Sequence, residues 1–458
     1  MQMTPERSSR RWRHWRWLFL LAGVALLNVN LRSTGRAEGN VAEIKFTLWG
    51  SPFEKQALEE AVKSFNATHP TIHVTAQHTA YEAYGEKISA MLASGNPPDI
   101  AYLDYAQAFP FADAGKLLDL APYFAKQPAD KSLLESAYYH FDHGKKVLGT
   151  GLATGIILLY YNKDLFDKAG VPYPPSKAEQ AWTWDQFVQV AKKLTKDKNG
   201  NDATSPKFDP DNIVTYGLSL PQDWWAYLTF IYSNKGGLVN EDGTEPLINK
   251  PEAVEVLQKL RDAIFVDHIA PRPTQNKTLP SADILMQTGK IAMTFNGMWR
   301  VIDFSQLHIK WGIGALPYFK EPLTIILSVP KVIFSATKYP DQTFEFYQYI
   351  SDPKRVALFK EGLWAPLEKS YFTDPALMKE WLDGKPGVYP PESRDVIVDY
   401  SLHHAAPPPP QYWLRNIDRI MNEAITPAMD QLWSGKVDAQ AAADQAAEKM
   451  KPLLQGRW

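Results

Sequence analysis

Residues 151–166 read GLATGIILLYYNKDLF, and no other stretch limits so sharply what the chain can become. Gly151, Ala153, Thr154 and Gly155 are small enough for the backbone to bend or for a neighbour to come close. Residues 156–161 are an unbroken apolar run with the length and composition of a strand buried on both faces. Asn162 and Asp164 follow, both types that cap helices. A pliable entry feeding a buried strand reads as a hinge between two lobes, although alone it also fits an ordinary sheet strand after a turn.

The length supports two lobes, because 458 residues exceed what one core usually serves. There is no cysteine, which excludes a disulfide framework, zinc-thiolate sites, thiol catalysis and a lipid-modified N-terminal Cys. Arg7, Arg10, Arg11, Arg13 and Arg16 precede an apolar run at 18–27 and small residues at Gly35 and Ala37. This is the pattern of a secretory signal peptide over residues 1–37, and the run is short for a membrane span. That segment holds seven Arg, no Lys and one acid, so without it the chain carries 42 basic and 50 acidic residues, a net charge of −8. Such a balance argues against nucleic acid or anionic lipid as a partner.

Periodicity organises the rest. Residues 44–49 alternate as a strand, and apolar positions 57, 58, 61, 62 and 65 share one face of a helix that ends before Pro70. A strand is expected at 72–76, a helix at 84–94, a strand at 99–103 and a helix at 111–120. Strands alternating with helices imply an open, mainly parallel α/β sheet, whose ligand crevice lies beyond the strands' C-terminal ends. That puts 49–54, 79–84 and 104–107 near a site. Later segments give helices at 184–195, with Thr183 as cap, and at 251–265. Strands follow at 289–296, 311–316 and 324–334, the last broken by Pro330 and read as a second crossing. Helices are expected at 341–350, 411–433 and 437–454. Asp197, Asn199 and Asn201 alternate as in a calcium loop, but the Gly is misplaced and no bidentate Glu follows. His403 and His404, beside four prolines, fit a solvated linker.

In this order the segments resemble one family, the solute-binding proteins of sugar ABC importers, of the maltose-binding-protein-like group. The resemblance rests on DIAYLD at 99–104 with FADAGKLLDL at 111–120, LYYNKDLFDKAG at 159–170 with TWDQF at 183–187, GKIAMTFNGMW at 289–299, and WSGKVDAQAA at 433–442. One departure falls at 324–330, TIILSVP, where relatives often carry small residues. The resemblance implies a two-lobe periplasmic binding protein fold, type II-like, with discontinuous lobes joined by a hinge. The first would combine 38–152 with 330–370, and the second 156–325 with 371–458. It also implies an exported monomer that hands a carbohydrate to ABC permease subunits in the periplasm, with no cofactor and no metal.

A sugar offers apolar C–H faces and a rim of hydroxyls, so its site needs flat aromatics with a few placed polar groups. Trp299, in the loop Asn296-Gly297-Met298-Trp299, is the first candidate platform. Trp224 and Trp225 follow, beside Asp223. Trp413 and Trp364 fit contact or core packing equally. Asp104 ends a strand where relatives bind a hydroxyl, and a helix-cap role looks the weaker alternative because the expected helix starts later. Glu54 and Tyr81 lie in post-strand loops. Arg300 would meet an anionic sugar or form an ion pair. A carboxylate pair such as Asp104 and Asp223 could instead serve a glycosidase, but no nucleophile elbow, P-loop or HExxH motif is present. A receptor for a polyol phosphate is the remaining alternative.

Overall fold

Strand and helix alternate as the apolar spacing predicts. In the computed structural model, which describes residues 41–127, 132–272 and 279–458, the chain runs β1 (Ala42–Leu48), α1 (Pro52–Thr68), β2 (Ile72–His78), α2 (Tyr81–Ala93), β3 (Ile100–Tyr102) and α3 (Tyr105–Asp113). The expected signal peptide lies outside the described residues. α1 buries Ala57, Leu58, Ala61, Val62 and Phe65, the five expected positions, and ends at His69. β1 pairs in parallel with both β2 and β3.

The hinge stretch belongs to a longer strand. After β4 (Tyr138–Phe141) comes β5, Lys146–Asn162, buried along its length apart from its first residue. Further on lie β6 (Lys196–Asp197), β7 (Ile213–Ser219), β8 (Ile291–Gly297), β9 (Trp311–Gly314) and β10 (Ile326–Ile333). From Gly149 to Ile156, β5 runs against β10, which also pairs with β3. From Ile157 onward its partners are β8 and β9. One strand therefore serves two groups of strands and changes neighbours between Ile156 and Ile157. β10 bulges between Ser328 and Pro330 opposite Gly151. A Cβ at Gly151 would stand 1.7 Å from the Ser328 hydroxyl, so only Gly fits this approach. A third crossing touches β5 where Thr154 and Ala365 exchange backbone bonds of 3.0 and 2.7 Å.

Beyond β5, β7 and β8 are parallel. Helices Trp184–Leu194 and Pro251–Phe265 follow the expected pattern, the first closed by a Thr183–Gln186 capping box, and a further helix spans Trp224–Ser233. The Ala-rich helix Ala439–Met450 packs on Pro251–Phe265.

Several expectations need correction. The sheet is mixed, because the strands passing between the two groups run against their neighbours. The helix expected at 111–120 is α3, several residues earlier. Asp104 caps it and Pro110 sits inside it, while Leu117 bridges to Phe334 and the N–H groups of Leu118 and Leu120 reach Ile333 O and Val147 O. The helix expected from 411 begins at Ile417, since Leu414 is held in a bridge to Arg457. In the 196–212 loop, the Asp197 carboxylate accepts the backbone N–H groups of Asn199, Asn201 and Asp209. Its alternating pattern thus builds a self-bonded turn.

Candidate functional site

The loops after the parallel strands bring a row of aromatic residues together. Trp49 follows β1 and packs edge-on against Tyr84, Tyr81 and Tyr102, at 4.7, 5.5 and 5.6 Å between ring centroids. Tyr81, the first residue of α2, donates its hydroxyl to Asp104 at 2.8 Å. Burial and the nearby Asp104 charge push the Tyr81 phenol above its ordinary pKa. The other Asp104 oxygen accepts the Ala106 N–H at 3.0 Å. Asp104 is therefore a helix cap, against the weight given to that role from sequence, and it keeps lone pairs on both oxygens.

Glu54 lies in the first turn of α1, half-buried, its carboxyl against Gly50. It is hydrogen-bonded to the side chain of Trp364. Removal from water outweighs that bond and the Ser51 N–H, raising its pKa to about 7. Trp364 adopts φ +102°, a conformation costly for a residue with a Cβ. The Thr154–Ala365 bonds hold the next residue against β5 and fix Trp364 in place.

From the other group of strands, Trp224 and Trp225 open the helix Trp224–Ser233. Asp223 occupies the capping position, yet its side chain caps nothing, and desolvation raises its pKa. Trp225 meets Trp299 edge-on at 5.9 Å, and Trp299 lies 5.4 Å from Trp364. The Trp299 ring folds back over Gly297, where a Cβ would come within 2.1 Å of it. Gly297 is thus required by the tryptophan two residues later. Asn296 turns its amide oxygen onto the Gly297 N–H at 2.9 Å. Tyr105 of α3 faces Trp224 at 6.5 Å, so aromatics from the two strand groups meet.

The structure thus gathers Trp225, Trp299, Trp364 and Glu54, with Trp224 opposite Tyr105. Two candidates go elsewhere. Arg300 pairs with Asp283 and, at 3.1 Å, with Asp303. Trp413 donates its indole N–H to Pro408 O at 3.0 Å and lies beneath the Arg457 guanidinium at 4.1 Å. Sequence reasoning placed 49–54 and 104–107 near the site without singling out Trp49 or Tyr105, and it missed Tyr412. Tyr412 is bonded to the Ser328 backbone through both N–H and C=O and touches Tyr105 at 6.0 Å. Position was the available signal, since Trp49 ends β1 and Tyr105 follows Asp104. Among the described residues no group of three acidic or His side chains is placed to hold a metal ion.

Three crossings and an aromatic row at the strand ends define a two-lobe solute-binding fold. The chain belongs to the bacterial extracellular solute-binding protein family, which residues 49–357 match. It is 23% identical to the galactooligosaccharide-binding protein of Bacillus subtilis, over 94% of this chain and 96% of that one. To the arabinooligosaccharide-binding protein of the same organism it is 25% identical, over 63% and 64%. Among solved structures, an ABC substrate-binding protein of Listeria monocytogenes in complex with cycloalternan superposes with TM-score 0.74 at 26% identity, covering 90% of this chain and 98% of that one. The sugar-binding protein MalE of Xanthomonas citri gives 0.71 at 21%, over 90% and 97%.

Proposed function

We infer that this protein captures a carbohydrate between its two lobes and delivers it to the permease of an ABC importer, without altering it. The observation that carries this reading is the row Trp225–Trp299–Trp364, with Glu54 bonded to its end and Trp224 set across from Tyr105. Flat apolar faces suit the C–H faces of pyranose rings, and the carboxyls of Glu54, Asp104 and Asp223 suit hydroxyls. More than one tryptophan face suits more than one ring, in keeping with relatives named for oligosaccharides. The neighbour change in β5 supports lobes of 38–152 plus 330–370 and 156–325 plus 371–458. Closure is driven by ligand contacts made to both lobes only when they are shut. Family membership supports export and action as a monomer beside a membrane permease.

A thermal-shift screen against mono- and oligosaccharides, followed by calorimetry on the hits, tests the reading. A saccharide that raises the melting point and is recovered intact is expected. Hydrolysis of the bound saccharide, lost in Asp104→Asn, would make the protein a glycosidase instead.

A further inference from the structure

A groove of about 910 Å³ meets the site described above at Tyr412. Neither Glu54 nor any of Trp224, Trp225, Trp299 and Trp364 lines it. One wall is β4 with the turn into β5; the other is formed by parts of 401–413 and the helix Ser370–Thr373, with Arg457 and Trp458. Trp413, singled out by sequence and unused by the site above, is part of this lining.

The groove's chemistry differs from that of the aromatic row. Its lining includes the cations Lys369 and Arg457, the imidazoles of His140 and His143 and, among the described residues, one acidic side chain, Glu135, which is already bonded to His140 at 3.1 Å. Arg457 is held in place before any ligand arrives. Its guanidinium lies on Trp413, one N–H reaches Glu241 O at 2.8 Å, and its own carbonyl accepts from Arg415 Nε at 2.9 Å. The tail around it is pinned by Gly456 N–H on Gly243 O at 3.1 Å and by Trp458, stacked on Phe109 at 6.1 Å. A fixed guanidinium loses little rotamer freedom on meeting an anion, and its fork matches a carboxylate or phosphate. Tyr138, Tyr412 and Trp458 supply flat apolar wall beside it.

We propose that this groove is a second solute site, for a pyranose bearing a carboxylate or a phosphate. Arg457 receives the anion, Lys369 adds positive potential, His140 and His143 offer ring nitrogens for hydrogen bonds, and the aromatic wall receives the ring.

Calorimetry on the full chain tests this with D-glucuronate and glucose 6-phosphate as probes and glucose as the neutral control. The proteins are wild type, Trp299→Ala, Arg457→Gln and Arg457→Lys. At least one anionic probe is expected to bind Trp299→Ala as tightly as wild type, and which one binds identifies the anion. Arg457→Gln should weaken that probe tenfold or more, with Arg457→Lys intermediate. Should Arg457→Gln melt early, the double variant His140→Gln/Lys369→Gln carries the same expectation. The proposal is overturned if neither anion binds Trp299→Ala at millimolar concentration. It is equally overturned if glucose binds that variant as well as the anions do, or if the anion's affinity ignores every groove substitution. Because Trp299→Ala weakens the first site and the groove substitutions leave it untouched, failure here leaves the carbohydrate reading intact.

Discussion

Replacing Glu54 by Gln should change stability in a pH-dependent way whose sign follows from burial. The folded protein holds the Glu54 proton up to about pH 7, against an ordinary value of 4.5. Between those limits the native state binds more protons than the unfolded chain, so this group makes stability fall as pH rises. Below 4.5 the carboxyl is neutral in both states and contributes nothing; above 7 the full penalty applies. A displacement of that size corresponds to about 3 kcal/mol if fully expressed. The group is only half-buried, and solvent reduces this to about 1–2 kcal/mol. Gln keeps an oxygen for the Trp364 indole and carries no charge. Urea unfolding of the ligand-free proteins should give equal stabilities near pH 4, and at pH 8 the variant should be the more stable by about 1–2 kcal/mol. A difference that stays constant from pH 4 to 8, or that grows in favour of the wild type, would refute the reasoning.

Three further substitutions probe the aromatic row and an ion pair outside it. Trp299→Ala should weaken saccharide binding by about 1–3 kcal/mol, roughly 5- to 150-fold in Kd, read by calorimetry; an affinity within twofold would remove Trp299 from the site. Gly297→Ala should push the Trp299 ring from its seat, lowering saccharide affinity several-fold and stability by about 1–3 kcal/mol, and an unchanged variant would show that the ring has room to shift. Arg300→Gln strands two carboxylates, and should cost about 1–2 kcal/mol in urea unfolding with saccharide Kd unchanged within twofold. A loss of affinity without loss of stability would return Arg300 to the binding surface.

Periodic features were legible from residue order alone. The α1 face, the Thr183 cap, the helix Pro251–Phe265 and the buried run in β5 each depend on local spacing, and each appears where that spacing puts it. Contacts between distant segments were not legible. The α3 helix, capped by Asp104, stops at Asp113 rather than running on to 120 because Leu118 and Leu120 bond to β10 and β5, hundreds and tens of residues away in the chain. Trp413 turns from the row because Arg457, over forty positions later, offers it a cation. Trp364 joins the row through a strained backbone that no composition rule suggests for tryptophan. Tyr105 was not singled out within 104–107 because its partner, Trp224, is brought near only by the fold.

The continuity of β5 carries a consequence for how sequences of this kind can change. Side chains along a strand alternate between faces, so adding or deleting one residue between Gly155 and Ile157 would turn every later position of that strand inside out. An insertion would put Leu159, which has no hydroxyl, in the place of Tyr160, whose hydroxyl meets Gly297 O at 2.9 Å. Length drift should therefore gather in segments such as 196–212, while the distance from Gly151 to Asn162 stays frozen.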